Sequence, residues 1–380
     1  MVNPISILGD FVSSLFGGGS SGASVLGIDI GSASIKIVQL KKRKGVPVLE
    51  TYGEIALGPY SDLEVGRATS LDIEKTTTAL TDLIRESNAT AKVAGVAVPY
   101  KSSLVTLLEL PSIAKKQLAS MVPLEARKYI PVPIGEVTID WFVIPENESK
   151  YLAREDETEE DLQKKKNKID VLLVAIHNET LSAYQSIMKE ANLKVDFYEI
   201  EIFSTIRAVL GQGIAPVLIL DIGAAASKAY IVEFGIVRAS HIINRGGQDM
   251  TMSLSKSLGM SVEKAERTKR ENGLVASSTG TPQEPLLLTL EHIFSEANRV
   301  LLNYQRKYNK NVERVVLTGG GAALKELLPR AQERFETEVE IADPFSKIET
   351  PAFLEEVLRE VGPEFAVAVG AALRKLGEQG

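Results

Sequence analysis

Cysteine is absent from this 380-residue sequence, and histidine and tryptophan are scarce, at three and one residues. Without a thiol the chain forms no disulfide and no thiolate metal site, which fits a reducing compartment. His177, His241 and His292 are scattered, without the close spacing of a histidine metal site. No run of about 18 consecutive apolar residues occurs, so no transmembrane span is expected. The first residues lack the basic start and long apolar core of a secretory leader, so the expected location is the cytoplasm. There is no basic excess either: 43 Lys and Arg stand against 50 Asp and Glu, a net charge of −7. Nucleic acid is therefore not the expected partner.

What remains is ordinary globular material, 44% hydrophobic and 24% charged, enough for two or three domains. One stretch organises it. Val25 to Ile30 and Ile35 to Leu40 are short β-branched apolar runs, and Gly31, Ser32, Ala33 and Ser34 between them supply a tight turn. Such a hairpin aims several backbone N–H groups into one concavity suited to phosphate oxygens. Asp29, at the end of the first run, is placed to hold the water shell of a Mg²⁺, and Lys36 to reach a phosphate as a point charge. A plain hairpin explains the stretch as well when it is taken alone. A second copy changes the balance: Asp221-Ile-Gly-Ala-Ala-Ala-Ser-Lys228 repeats the Asp, Ile, Gly, second turn Ala and Lys in register. Two such turns far apart in sequence point to two related halves facing one nucleotide, each offering a carboxylate to one metal.

Further along, Gly246 and Gly247 follow a strand and open a helix, so their amides are placed to meet an anion. Glu266 and Lys269 share a helical face, able to clasp a ribose and base edge or simply to pair on the surface. Gly319, Gly320, Gly321 and Ala322 follow a buried-type strand; a flat adenine fits against such bare backbone, and a tight strand–helix turn also explains them. Ala366 to Ala372 is a small-residue helix face that permits close helix approach. At the N-terminus, Ile5, Leu8, Val12, Leu15 and Phe16 lie at helical spacing ahead of a Gly/Ser tether, with no Lys or Arg among residues 1–16. That helix is free to dock on protein or on an interface. The stretch 154–168 runs from acidic to basic and reads as a solvated hairpin tip.

In this order the motifs resemble the actin/Hsp70/sugar-kinase superfamily, and the arrangement is similar to the PilM family of type IV pilus assembly, an FtsA-like branch. The features are the N-terminal helix and tether, Gly27-Ile-Asp-Ile-Gly31, Tyr129-Ile-Pro-Val-Pro-Ile134, Gly246-Gly-Gln-Asp-Met-Thr251 and Leu317-Thr-Gly-Gly-Gly-Ala322. The resemblance implies an α/β, two-lobed actin-like ATPase of duplicated RNase H-like domains, carrying an inserted FtsA-type subdomain. The implied division is a tether and helix at 1–22, a first core at 23–100 and 177–213, and the insert at 101–176. A second core would take 214–244 and 310–380, with a nucleoside-gripping helical subdomain at 245–309. Asp29 to Lys36 and Asp221 to Ser227 would be the two phosphate loops, with Gly223, Ala224 and Ser227 in the second. Glu266, Lys269 and Arg270 would grip the nucleoside and Gly319 to Ala322 the adenosine. Glu201, opening the first connecting helix, would face the attacking water.

ATP and Mg²⁺ are the implied cofactors. The implied partner is the N-terminal peptide of a PilN-type inner-membrane protein, and a ring or filament of copies would sit at the inner face of the membrane. An FtsA-like division protein and a small-molecule kinase are the rival readings. The C-terminal Arg374-Lys-Leu-Gly-Glu-Gln-Gly380 is short and polar where the first would carry its amphipathic tail. No convincing Asp or His base supports the second.

Overall fold

A computed structural model describes residues 22–145, 168–211, 213–275 and 284–378. The expected N-terminal helix, its tether up to residue 21, residues 154–167 of the charged stretch and the loop 276–283 lie outside the described residues.

In chain order the first half runs β1 (Val25–Ile30), β2 (Ser34–Arg43), β3 (Val46–Ala56), α1 (Ile73–Glu86) and β4 (Val93–Val98). An inserted unit follows: β5 (Ser103–Pro111), α2 (Lys115–Ala126), β6 (Val137–Val143) and β7 (Lys168–His177). The half closes with α3 (Asn178–Glu190), β8 (Lys194–Ile200) and α4 (Glu201–Val209). The second half runs β9 (Val217–Ile222), β10 (Ser227–Glu233), β11 (Ile236–Ile243), α5 (Gly247–Leu258), α6 (Val262–Asn272) and α7 (Glu284–Tyr308). It ends with β12 (Arg314–Thr318), α8 (Leu327–Arg334), β13 (Glu338–Ile341), α9 (Glu355–Val361) and α10 (Ala366–Glu378).

The duplication is visible in the sheets. The first is ordered β3-β2-β1-β4-β8 and the second β11-β10-β9-β12-β13. In each, the first three strands of the half pair antiparallel and the last two join parallel. Continuous β-branched runs form the central strands because both faces of the sheet are covered; β9, for instance, is buried at all of its positions. The insert is a third sheet, β5-β7-β6. Its central strand alternates: Leu172, Val174 and Ile176 face the first half, while Val171, Leu173 and Ala175 face α2.

The halves exchange their last helices. Ile202, Phe203 and Ile206 of α4 share a cluster with Ile219, Tyr230 and Val316 of the second sheet. Helix α10, at the end of the second half, packs instead with Val25, Val38 and Leu40 of the first sheet, although the division at 310–380 groups it with the second core. The small residues of α10 are what permit this. A side chain on Gly370 would collide with the Ser204 carbonyl of α4, and one on Gly27 with the Ala368 carbonyl.

Two elements differ from the sequence reading. The helix expected to run from Ala322 to about residue 336 is broken into a 3₁₀ turn, Gly320–Ala323, and the short α8. Glu326 adopts a left-handed φ of 63°, and the Lys325 carbonyl is taken by the Leu274 amide, so the helix cannot start earlier. The last helix, expected at 363–376, begins only after the 3₁₀ turn Gly362–Phe365, and α9 ahead of it has no counterpart in that reading.

Candidate functional site

The two Asp–Lys hairpins are built alike. Asp29 stands opposite Lys36 in the β1–β2 ladder, and Asp221 opposite Lys228 in the β9–β10 ladder. Each turn is closed by the same bond, Gly31 N–H to the Ser34 carbonyl and Gly223 N–H to the Ala226 carbonyl, at 3.0 and 3.1 Å. Both turns line one cleft of about 710 Å³ that lies between the sheets. Asp29, Gly31, Ser32, Ala33 and Lys36 border it from the first half, with Glu201. Asp221, Gly223, Ala224, Gly247 and Gly319 to Gly321 border it from the second, with Glu266, Lys269 and Arg270.

Charge is concentrated on the floor. Lys228 donates to Glu201 Oε2 at 2.7 Å and to Asp221 Oδ2 at 2.9 Å. Glu201 Oε1 accepts the Tyr100 amide at 2.7 Å, so both oxygens of this carboxylate are engaged. Burial and the nearby Glu201 push the Asp29 carboxyl up to about 7, against the pull of Lys36 and Lys228. Burial opposes the charge on Lys228, but Asp221 and Glu201 outweigh it and keep the ammonium protonated well above the ordinary lysine range. Lys36 pairs with Glu54 at 2.8 Å, its cross-strand neighbour on β3, and lies 3.8 Å from Glu364 of the second half.

At the other wall Glu266 is buried and accepts from three donors. Its Oε2 accepts from Lys269 at 2.7 Å and Thr251 at 2.5 Å, and its Oε1 from Arg270 at 2.7 Å. Burial pushes its carboxyl up, yet Lys269, Thr251 and Arg270 together hold it below the ordinary range. The segment after β3 reaches across to this wall. Gly66, at a φ of +89°, packs its bare Cα against the Glu266 side chain, and the Ala68 amide donates to Gln248 Oε1. The same segment is tied to the first turn through Thr69 N–H to the Ser32 carbonyl.

Several expected residues do something else. The amides of Gly247 and Gln248 already donate to the Gly223 and Ala224 carbonyls at 2.9 Å, and the Gly246 amide to Asp249. The start of α5 therefore anchors the second turn instead of offering free donors to an anion. Ser227 is fully buried and donates to the Arg245 carbonyl at 2.8 Å, away from the cleft. Ala322 is buried as well. Gly319 is glycine because its φ is +79° and a side chain would collide with Asp221; Gly321 is glycine because Ile222 fills the space. Of the triplet, Gly320 alone faces open room, toward Glu364.

Three charges that line the cleft, Lys228, Glu54 and Glu364, carried no assigned role in the sequence reading. Lys228 had a signal, its register with Lys36 in the repeat. Glu54 had a weaker one, its place on a strand alternating beside β2. Glu364 had none, because a 3₁₀ turn brings it to the cleft. Among the described residues no three Asp, Glu, His or Cys side chains converge into a metal cage. The carboxylates bordering the cleft beside the turns are Asp29 and Asp221; a hydrated Mg²⁺ takes one or two carboxylates plus phosphate oxygens, and this pair fits that requirement.

A family model described as type IV pilus assembly protein PilM matches residues 27–376. A chain of the solved PilM–PilN type IV pilus biogenesis complex superposes with a TM-score of 0.76 at 22% identity, over 93% of this chain and 98% of that one. The ethanolamine utilization protein EutJ from Carboxydothermus hydrogenoformans is similar at a TM-score of 0.52 and 14% identity, over 96% and 95%. A MamK double helical filament chain gives 0.51 and 12%, over 92% and 98%. At such identities these likenesses establish the fold, which is actin-like and two-lobed. The family match, spanning all but the ends of the sequence, establishes more: the chain belongs to the PilM family of type IV pilus assembly proteins.

Proposed function

We propose that this chain is a nucleotide-responsive scaffold of type IV pilus assembly that binds Mg²⁺-ATP between its two hairpins. The observation that carries the reading is the pairing of two equivalent Asp–Lys ladders on opposite sides of one cleft. Asp29 and Asp221 would hold the hydrated metal, the Gly31–Ser34 and Gly223–Ala226 turns would cradle phosphates, and Glu266, Lys269 and Arg270 would meet the nucleoside. The metal, when bound, would supply positive charge that neutralises the phosphates. A cleft of several hundred Å³ is the usual size for such a ligand.

The division into a first core, an insert, a second core and a helical subdomain follows from the same reading, with α10 returning to the first sheet. The partner would be the short N-terminal peptide of a PilN-type inner-membrane protein, docked on the first core and the insert. The scaffold would then lie on the cytoplasmic side of the membrane; among the described residues no helix is long and apolar enough to cross it. Nucleotide favouring the closed arrangement of the halves would bias that docking surface, since a ligand shifts an equilibrium only by its differential affinity.

Calorimetry on Asp29→Ala and Asp221→Ala tests the cleft. Each substitution is expected to weaken Mg²⁺-ATP binding severely, and undiminished binding in both would defeat the assignment. Pull-down by the partner's N-terminal peptide tests the scaffold role; efficient multiple-turnover phosphorylation of a small molecule would favour a kinase instead.

A further inference from the structure

The cleft lysines are related by the duplication, and so are the carboxylates they meet across it. Lys36 and Lys228 occupy the same place, on the second strand of their sheets opposite the aspartate. Glu201 opens the helix that follows the last strand of the first sheet. Glu364 lies in the turn that leads into α10, behind the last strand of the second sheet. The lysine of each half therefore faces the carboxylate that precedes the exchanged helix of the other half. The Lys228–Glu201 contact is a 2.7 Å ion pair between partly buried side chains; Lys36 reaches Glu364 at 3.8 Å while held by Glu54.

We propose that Lys228 is an exchange residue: it clasps Glu201 across the cleft, and a bound triphosphate takes it over. Lys36 and Glu364 form the related, weaker pair. The inference rests on the ATP reading above and adds what a nucleotide must displace. A charge-assisted bond to phosphate is at least as strong as one to a carboxylate, and a triphosphate concentrates more negative charge than Glu201 does. Lys228 already spends two of its three N–H donors on Glu201 and Asp221, so a phosphate that draws the ammonium toward the turns competes with Glu201 for it and weakens the clasp. The clasp ties the start of α4 to β10 of the second half, so its release is felt at the junction of the halves.

The two partners then make opposite predictions. Glu201→Gln keeps the acceptor for the Tyr100 amide but removes the competing charge, so Mg²⁺ with a non-hydrolysable ATP analogue should bind tighter, by about fivefold or more. Lys228→Met removes the phosphate ligand and should bind about tenfold weaker. Calorimetry reads both. Shifts of the same sign, or no shift in either variant, overturn the inference while leaving the ATP reading intact. Failure of the wild-type chain to bind the analogue overturns both. Melting without nucleotide checks the clasp separately: Lys228→Met, Glu201→Gln and the double variant should be non-additive, and strict additivity also overturns it.

Discussion

Glu199 shows how much a single residue holds. It is 1% exposed, next in chain to Ile200 and two positions before the cleft residue Glu201. Its carboxylate receives Arg207 of α4 in bidentate fashion, at 2.7 and 3.0 Å, together with Arg374 of α10 at 2.9 Å and the Ser204 hydroxyl at 2.5 Å. One buried anion thus pins both exchanged helices to the end of β8. Glu199→Ala removes the carboxylate that two buried guanidinium groups share, a loss of about 3–5 kcal/mol, and differential scanning calorimetry should show a correspondingly lower Tm. Burial pushes this carboxyl up, but Arg207, Arg374 and Ser204 outweigh it, so it titrates below the unfolded chain's value. Its contribution is complete above that unfolded value, about 4.3, and is lost as pH falls through the lower folded value. The wild-type Tm should therefore drop on acidification below about pH 5, with a smaller drop in Glu199→Gln. Equal slopes would show that Glu199 is not the titrating group. Nothing in the sequence marks Glu199, because its partners arrive from α4 and from a helix at the far end of the chain.

At the scale of elements, the hairpins were legible and the exchanged helices were not. A β-hairpin closes on its own neighbours: the Gly31 and Gly223 turns are set by residues two or three positions away. Strand ends shifted by only a few positions. Helix α10 was recognisable as an apolar helix with small residues, but a small-residue face fits many surfaces equally. Only the crossing at Gly370 and Ser204 decided which one. Gly370→Ala puts a methyl group into the Ser204 carbonyl. The helices must separate, at a cost of about 1–3 kcal/mol or more, and a lower Tm should be accompanied by weaker nucleotide binding. A variant with unchanged Tm would show that the crossing is looser than the packing implies. The start of α5 is the opposite lesson. Gly-Gly before a helix resembles an anion site, yet the bare Cα atoms serve the close approach of the Gly223 and Ala224 carbonyls.

Over the whole molecule the two sheets share a continuous apolar cluster through α4, which also takes in one face of β7 in the insert. Lobes joined through a core unfold together, so calorimetry should record one main transition for the described fold. Two well-separated transitions would deny the shared core. On the proposed reading Mg²⁺-ATP would bind only the folded cleft and should raise that transition, by about 2.7 kcal/mol at a hundredfold excess over Kd. The rise should be lost in Asp29→Ala and Asp221→Ala. On that reading the nucleotide would act on the junction that Glu199 and Gly370 hold, and from there would reach the proposed docking surface on the first half.

The sequence by itself determined the duplication, the Asp–Gly turns and their lysines, because a ladder pair and a tight turn depend on residues close along the chain. It also carried the family, through motifs whose order survives at low identity. The tertiary structure alone decided that α10 returns to the first sheet, that the amides of Gly246 and Gly247 are already spent, and that Lys228 lies between Glu201 and Asp221. Each of these depends on which distant backbone comes within a few ångströms, and short-range spacing holds no information about that approach.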